Sequence, residues 1–443
     1  MKKISALLLA LSMCVGLLAG CGAKEEPAPT PDAPAPEQST EAKGSVYYLN
    51  FKPEADASWQ ELAKTYTAQT GVEVKVVTAA SGEYSTTLTA EMAKSDAPTL
   101  FQCGNAQGLI DWGDYCLDFT GTKVLNEMTT SDFNLVDENG AVKAIGYCYE
   151  AFGIIVNTAL LTEAGYELAD IKDFASLKAI AEDIHARASE LGFDAFSSSG
   201  LDGSSSWRFS GHLANMPLYY EFRDGGVTSQ PAEITGAYMD AYKNIWDLYI
   251  NCSSMDPASL SSGTGDMSSG EFKEGKAVFY QNGTWEYAGL IEAGLKAEDL
   301  QMIPIYCGVE GEEEAGLACG TENCWAINAK ASEADIQATI DFVKWVVTSD
   351  AGTQMMAEQF GPIPFKAAKA SDNVFFNDAN KYIAEGKYVV SWAFNYTPNV
   401  DAWRATVVTA LTAYSADPTD ANWAAVESAF VDGWAIEYAN VNG

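Results

Sequence analysis

The chain has 443 residues, of which 61 are Asp or Glu and 26 are Lys or Arg, so its formal net charge is −35. Nucleic acid and anionic lipid head groups repel such a polyanion, which argues against a nucleic-acid-binding protein. The hydrophobic content of 47% supports a sizeable core, and the length favours two lobes over one.

Residues 1–20 have the pattern of a secretory signal peptide. Two lysines precede an apolar stretch, 4–18, that is too short for a stable membrane-spanning helix. The stretch closes with Leu18-Ala19-Gly20-Cys21, which resembles the lipobox of bacterial lipoproteins. That resemblance implies cleavage before Cys21, a lipid on its sulfur and anchoring to the outside of the cell membrane. The alternative is an ordinary secretory signal with an incidental cysteine.

A proline-rich segment, 21–44, follows the signal. Its prolines alternate mostly with Ala, Thr, Asp and Glu, so the segment has little apolar surface to bury and favours extended polyproline geometry. We expect it to be a tether that takes no part in ligand binding.

Seven cysteines remain once Cys14 and Cys21 are set aside. An odd number cannot all pair within one chain, which indicates either a low-oxygen habitat or buried single thiols. Cys319 and Cys324 lack the Cys-x2-Cys spacing of a zinc site, and the chain has only two histidines. The sequence therefore predicts no metal site and no cofactor.

From residue 45 onward, strand and helix patterns alternate. Strands are predicted at 46–51, 72–77 and 98–102, with helices at 59–69 and 84–94 between them. This order is typical of a parallel sheet flanked by helices, whose ligands bind at the carboxyl ends of the strands.

The same alternation continues to the end of the chain, so an α/β fold is expected throughout. The further predicted strands are 152–157, 277–280 and 324–328. The further predicted helices are 173–192, 236–250, 332–348, 350–358, 400–414 and 418–438.

Four motifs occur in a fixed order. They are Trp59-Gln60-Glu61-Leu62 with Thr70-Gly71-Val72, Glu150-Ala151-Phe152-Gly153 running to Asn157, Gly275-Lys276-Ala277-Val278 followed by Asn282-Gly283-Thr284-Trp285, and Trp325-Ala326-Ile327-Asn328 followed by Ile363-Pro364. Together they resemble the extracellular solute-binding proteins of ABC importers, in particular the sugar-binding group that includes the maltose-binding proteins. One departure is Val156-Asn157, where many relatives have Tyr-Asn.

The resemblance implies a two-lobed periplasmic-binding-protein-like fold of type II, with a hinge that the chain crosses several times. Lobe one is expected to comprise 45–154 and 320–368, and lobe two 155–319 and 369–443. The ligand would be enclosed between the lobes and passed to the permease subunits of the importer. We expect a monomer.

Tryptophans are the first candidates for a sugar site, because sugars stack their C–H faces on flat aromatic rings. The resemblance implies that Trp285, after an Asn-Gly-Thr turn, and Trp403, at the start of a helix, stack on the ligand. Trp392, Trp207 and Trp112 lie in or near predicted loops and are further candidates. Core packing is the alternative for each of them, and it is preferred for the tryptophans on helical apolar faces.

Polar candidates are the side chains that would bind sugar hydroxyls. Glu150 begins the predicted crossover strand where sugar-binding relatives carry a cleft carboxylate, and a solvated strand end is the alternative. The resemblance also implies that Asn105, after the third strand, matches a position that binds sugar hydroxyls in the relatives. Lys52 and Glu83 match positions of lobe one that contact the ligand in the relatives. Glu322 is a candidate by its position in the return crossing.

The predicted function is capture of a sugar or oligosaccharide by closure of the hinge. A polyamine, a peptide or a polyol phosphate on the same scaffold is the alternative. A glycoside hydrolase also combines carboxylates with tryptophans, but it needs two acids paired across the scissile bond, and no motif in the sequence pairs them. We therefore predict a binding protein and no enzyme.

Overall fold

The structure is a computed structural model that describes residues 43–443. The predicted signal peptide, the predicted lipid attachment at Cys21 and residues 22–42 of the predicted tether lie outside the described residues. Among the described helices, none is both long and apolar enough to cross a membrane.

The described chain alternates strands and helices almost to its end. The strands, β1 to β12 in chain order, are Val46–Asn50, Val74–Thr78, Leu100–Gln102, Leu135–Val136, Val142–Gly146, Glu150–Asn157, Asp194–Phe196, Ala277–Gly283, Leu300–Ile303, Ala315–Gly320, Cys324–Ile327 and Tyr388–Ser391. The α-helices, α1 to α15, are Asp56–Thr70, Tyr84–Met92, Ala106–Trp112, Thr158–Glu163, Phe174–Ala186, Ala188–Leu191, Ala214–Gly225, Met239–Asn251, Gly265–Lys273, Tyr287–Glu292, Glu333–Thr348, Asp350–Phe360, Val374–Ala384, Val400–Ala416 and Asp420–Asn442.

The first sheet has the strand order β2-β1-β3-β11-β5-β4. β1 runs parallel to β2 and β3, while β11 joins them antiparallel. The predicted alternation of strand and helix over 46–102 is confirmed. Helix α1 ends at the predicted place because Gly71 adopts a left-handed φ of 70°, which closes the helix and turns the chain into β2.

The second sheet has the order β12-β10-β6-β8-β7, with β9 also paired to β6. Strand β6 lies at its centre and is buried over nearly all its length, which explains its continuous apolar sequence. Helices α14 and α15 pack against each other, and their tryptophans enter the core of this sheet. We use the names lobe one and lobe two for the parts of the chain built on the first and second sheets.

The chain passes between the two sheets at three places. It leaves the first sheet between β5 and β6, returns between β10 and β11, and leaves again after α12. The first two passages run side by side, since the Tyr147 amide donates to the Asn323 carbonyl at 2.9 Å. Paired connections of this kind form a flexible joint that still holds the lobes in register.

One local prediction is wrong. The Ser/Gly-rich segment around Trp207 is predicted to be a loop up to residue 211, but a π-helical turn, Arg208–Leu213, begins directly after Trp207. The Arg208 side chain explains the turn, because its guanidinium donates to the hydroxyls of Ser205 and Ser268 and to the Gln281 carbonyl. The bonds to Ser268 and Gln281 join distant parts of the chain and have no signature in the local sequence.

All seven cysteines of the described chain are free and buried. Of the two alternatives left open by their odd number, buried single thiols are what the structure shows. Burial also raises the pKa of several of these thiols, including Cys148 and Cys307, which keeps them protonated and unreactive.

Candidate functional site

The candidate site lies where the two sheets meet. Lys52 follows β1 of lobe one, Glu150 is the first residue of β6, and Trp285 follows β8 in a short 3-10 turn, Thr284–Glu286. The Lys52 ammonium lies 2.8 and 3.0 Å from the two carboxylate oxygens of Glu150 and 4.9 Å from the centre of the Trp285 ring. The structure therefore brings together three predicted site residues that are far apart in sequence.

Glu150 and Lys52 form a buried ion pair. Glu150 is 3% exposed and also accepts a bond of 2.6 Å from the Asn323 amide, which belongs to the return passage of the chain. Burial alone would lower the pKa of Lys52, but the carboxylates of Glu150 and Glu54 outweigh it and raise this pKa above its ordinary value. Lys52 is therefore charged at neutral pH, and the pair links both lobes to the joint between them.

Six aromatic rings, which we call the aromatic row, run through this part of lobe two. They are Trp207, Trp285, His212, Phe152, Trp392 and Phe394. Successive centroid distances include 6.1 Å between Trp207 and Trp285, 5.5 Å between Trp285 and His212, and 4.0 Å between His212 and Phe152. The row continues with 5.4 Å between Phe152 and Trp392 and 5.4 Å between Trp392 and Phe394. Only the Trp207 and Trp285 rings keep partly exposed surface, so a ligand has access to this end.

Two glycines seat the tryptophans of the row. A Cβ atom at Gly283 would lie 2.2 Å from the Trp285 ring, and one at Gly320 would lie 2.6 Å from the Trp392 ring. Both indoles therefore lie directly against strand backbone, where any larger residue would displace them. The Gly-x-Trp pattern that singles out Trp285 in the sequence thus has a direct structural reason.

His212 is a member of the row that the sequence does not single out. Its ring is stacked on Phe152 with 10° between the planes, and its Nδ1 is 2.9 Å from the Gln281 side-chain amide. Burial, together with the positive charges of Arg404 and Arg208, lowers the pKa of His212 well below its ordinary value. The imidazole is therefore neutral at pH 7 and behaves as one more flat ring.

Trp392 and Trp403 differ in their surroundings. Trp392 belongs to the row, and its indole nitrogen has no hydrogen-bond partner among the described residues. Trp403 is 0% exposed, packs on Phe430 and Trp434, and donates to the Phe430 carbonyl at 2.9 Å. The structure does not bring Trp403 to the row, because the first turn of α14 directs this side chain toward α15.

The remaining lobe-one candidates occupy loops and helix ends. Asn105 caps α3 by accepting a bond of 2.9 Å from the Gly108 amide, and Trp112 packs against Tyr115 on a core cluster of lobe one. Glu83 is exposed at the start of α2. Next to it, a Cβ atom built on Gly82 would lie only 2.3 Å from the Gly203 carbonyl of lobe two. The loop before α2 therefore touches the opposite lobe directly.

Carboxyl groups line the junction in addition to Glu150. Burial raises the pKa of Glu286 to about 7, and the negative charge of Glu54 adds to the effect while Lys273 opposes it. Burial also raises the pKa of Glu322, against the lowering effect of Arg404 and Lys52. Within residues 43–443, no group of acids, histidines and cysteines is arranged to hold a metal ion. The site can therefore offer flat rings, carboxyl groups and amides to an organic ligand.

The sequence matches a family model described as bacterial extracellular solute-binding protein over residues 61–384. No curated protein matches it significantly.

Solved structures match nearly the whole chain. The SBP RafE in complex with raffinose has 15% identity over 87% of this chain and 98% of its own, with a TM-score of 0.68. The GacH receptor of Streptomyces glaucescens, solved unliganded and with acarbose, has 18% identity over 90% and 100%, with a TM-score of 0.64. A sugar transporter from Bacillus licheniformis in complex with stachyose has 15% identity over 89% and 99%, with a TM-score of 0.66. These likenesses confirm the predicted two-lobed α/β fold.

Proposed function

The chain belongs to the bacterial extracellular solute-binding protein family, and we therefore propose that it captures a sugar or short oligosaccharide between its lobes and delivers it to the permease subunits of an ABC importer. The family is one of solute-binding proteins, which confirms the prediction of a binding protein rather than an enzyme.

The observation that carries this proposal is the aromatic row ending at the lobe junction. Two partly exposed indoles, Trp207 and Trp285, lie beside the carboxyl groups of Glu150 and Glu286 and the Lys52 ammonium. Sugars have an apolar C–H face and a rim of hydroxyls, so indole faces and ionised or amide groups complement both parts. Structures with this fold include complexes with raffinose, acarbose and stachyose, which supports a carbohydrate here.

Capture would proceed by closure of the two lobes. The ligand docks on the exposed indoles of lobe two, and lobe one then adds contacts that exist only in the closed state. Lys52 near Trp285 and the Gly82 loop against Gly203 are such contacts between the lobes. The closed form would be the one that the permease recognises.

Localisation and domain limits complete the proposal. The family name describes extracellular proteins, and the Leu18-Ala19-Gly20-Cys21 motif supports a lipid anchor at Cys21 with 22–44 as the tether. The expected limits of 45–154 and 320–368 for lobe one shift slightly, because β6 begins at Glu150 and β10 ends at Gly320 and both strands belong to the second sheet. We therefore assign 45–149 and 321–368 to lobe one, and 150–320 and 369–443 to lobe two. Each protein molecule would act as a monomer, since the proposed site is complete within one chain.

A binding screen tests the proposal. The purified protein is titrated by calorimetry and by thermal shift with raffinose, stachyose, chitin oligosaccharides and xylo-oligosaccharides. We expect at least one to bind with a dissociation constant of about 1 μM, which corresponds to a binding free energy of about −8 kcal/mol. Turnover of the sugar, or a response to polyamines and peptides with none to any sugar, would contradict it.

A matched pair of variants locates the site. Trp285→Ala should abolish the thermal shift that the bound sugar causes. Trp345→Ala, which removes a half-buried indole on α11 far from the junction, should preserve that shift. An unchanged shift in the Trp285 variant would remove this residue from the site.

A further inference from the structure

Within the part of the chain that the structure describes, Arg404 is a cation without a partner at the lobe junction. Among residues 43–443 its side chain forms no ion pair within 4.0 Å, and its buried Nε has no hydrogen-bond acceptor. The neighbouring cations are satisfied, since Lys52 is paired with Glu150 and Arg208 donates to two hydroxyls and a carbonyl. A chain with a net charge of −35 could easily have supplied a carboxylate here.

The guanidinium of Arg404 lies against two parts of the aromatic row, the buried Phe394 ring and the turn that carries His212, whose ring is 5.5 Å from that of Trp285. Its central carbon is 5.3 Å from the Phe394 ring, and one terminal nitrogen is 3.0 Å from the position that a Cβ atom would take on Gly211. Gly211 belongs to the π-helical turn that carries His212, so the absence of a side chain at 211 leaves room for the cation. Arg404 is only partly buried, and its terminal nitrogens, unlike Nε, are not enclosed, so a ligand atom has access to them.

The nearest acids do not neutralise Arg404. Its charge lowers the pKa of Glu322, yet burial has the larger effect and leaves this pKa above its ordinary value. A tight ion pair with Arg404 would instead lower the pKa of Glu322 below its ordinary value. Asp401, one turn earlier on α14, is exposed and forms no ion pair with Arg404 within 4.0 Å. The positive charge is therefore available to an incoming group.

The terminal nitrogens of Arg404 also form no hydrogen bond with residues 43–443, so the arrangement favours a ligand that supplies acceptors to them. From this we infer that Arg404 binds a carboxylate of the ligand and that the captured sugar contains a uronic acid residue. The inference rests on the proposed function and names the class of sugar.

A carboxylate fits better than a phosphate. The planar guanidinium donates two parallel bonds to a carboxylate, which is a monoanion. Asp401 lies close enough to Glu322 for its charge to raise the pKa of Glu322. These two acids would repel a phosphate dianion more strongly than a carboxylate monoanion. A sugar carboxylate also leaves the ring free to stack on an indole of the row.

The test uses matched acidic and neutral sugars. The purified protein is titrated by calorimetry with glucuronate and glucose, galacturonate and galactose, and cellobiouronic acid and cellobiose. We expect the acidic member of at least one pair to bind about tenfold more tightly or better than its neutral partner. Neutral sugars, those of the earlier panel included, that bind as well as or better than every acid would overturn the inference and leave the proposed function standing. Failure of all these sugars and of the earlier panel would overturn both.

Variants of Arg404 complete the test. Arg404→Gln should reduce the preference for the acidic sugar to about twofold or less. Arg404→Lys should retain part of the preference, because the lysine ammonium still attracts a carboxylate but cannot donate two parallel hydrogen bonds to it. Lys64→Gln, an exposed cation on α1, controls for the change in net charge and should keep the full preference. Melting temperatures check that each variant is folded. An acid preference that survives in Arg404→Gln would overturn the assignment.

Discussion

The two lobes contribute different chemistry to their junction. Lobe two supplies the entire aromatic row, with Trp285 and Trp392 seated on glycine backbone and His212 stacked on Phe152. Lobe one supplies charge and loops, namely Lys52, Glu54 and the turn at Gly82. We propose a division of labour in which the aromatic surface of lobe two selects the ligand and the charges and loops of lobe one secure it. Four experiments test this division of labour.

The largest effect is expected from removing the charged link between the lobes. Lys52→Met leaves the Glu150 carboxylate buried without its cation, which should lower the free energy of unfolding by about 3–5 kcal/mol. Chemical denaturation measures the loss. The double variant Lys52→Met with Glu150→Gln should recover much of the stability, because no unpaired charge remains buried. Equal stabilities of the single and the double variant would contradict the role of the pair.

The second experiment compares one aromatic residue from each lobe. Trp207→Ala removes a partly exposed ring of the row and should weaken binding of the cognate sugar by about 1–3 kcal/mol. Phe51→Ala truncates a partly buried ring of lobe one that lies 5.6 Å from the Lys52 ammonium, and should weaken binding less. Calorimetric titration of both variants measures the two losses of affinity. A greater loss in the Phe51 variant would reverse the proposed division between the lobes.

The third experiment acts on closure alone. Gly82→Ala places a methyl group against the Gly203 carbonyl of the opposite lobe. Closure of the lobes should therefore become less favourable, and affinity should fall by about 1.4 kcal/mol, or tenfold. Gly121→Ala is the matched control, since Gly121 has the same φ of 78° but open space around it. Both variants carry the same backbone strain. If they lose affinity equally, the Gly82 contact has no part in closure.

The smallest effect concerns pH. The pKa of Glu286 is raised to about 7, so the folded protein favours the protonated carboxyl, and this contribution to stability is present below the ordinary glutamate pKa. This contribution is lost as the pH rises through about 7. Among the nearby charges, Glu54 raises the pKa of Glu286, and Lys273 and Arg208 lower it. The Glu286 side chain is partly exposed, so solvent reduces the effect. Between pH 5 and pH 8, the free energy of unfolding of Glu286→Gln should rise by about 1 kcal/mol relative to that of the native protein. Denaturation at both pH values measures it, and a constant difference would contradict the shift.

Much of the fold follows from local patterns. The helical periodicity of 59–69 and the glycine after it predict α1 and its end at Gly71, and the apolar run at 152–157 predicts the buried strand β6. The motifs that carry the family resemblance also point to Trp285 and Glu150, which the structure brings together with Lys52. These residues could be found because each motif combines several neighbours in sequence.

Other features have no local signal. The π-helical turn after Trp207 depends on bonds from Arg208 to residues as distant as Gln281. Trp403 and Arg404 are adjacent in sequence, yet one enters the core and the other reaches the junction, because α14 turns by about 100° per residue. A pattern of hydrophobicity cannot tell which of two neighbouring positions enters the core and which reaches the junction.

Residues near one another along the chain were enough to establish the α/β class, the order of most elements and the excess of negative charge. The folded molecule was needed to show which rings form the row and, within residues 43–443, which cation is paired and which has no partner. An aromatic stack or an ion pair depends on how distant segments pack, and no local pattern records that packing. Lys52 and Glu150 lie 98 positions apart in sequence and 2.8 Å apart in space.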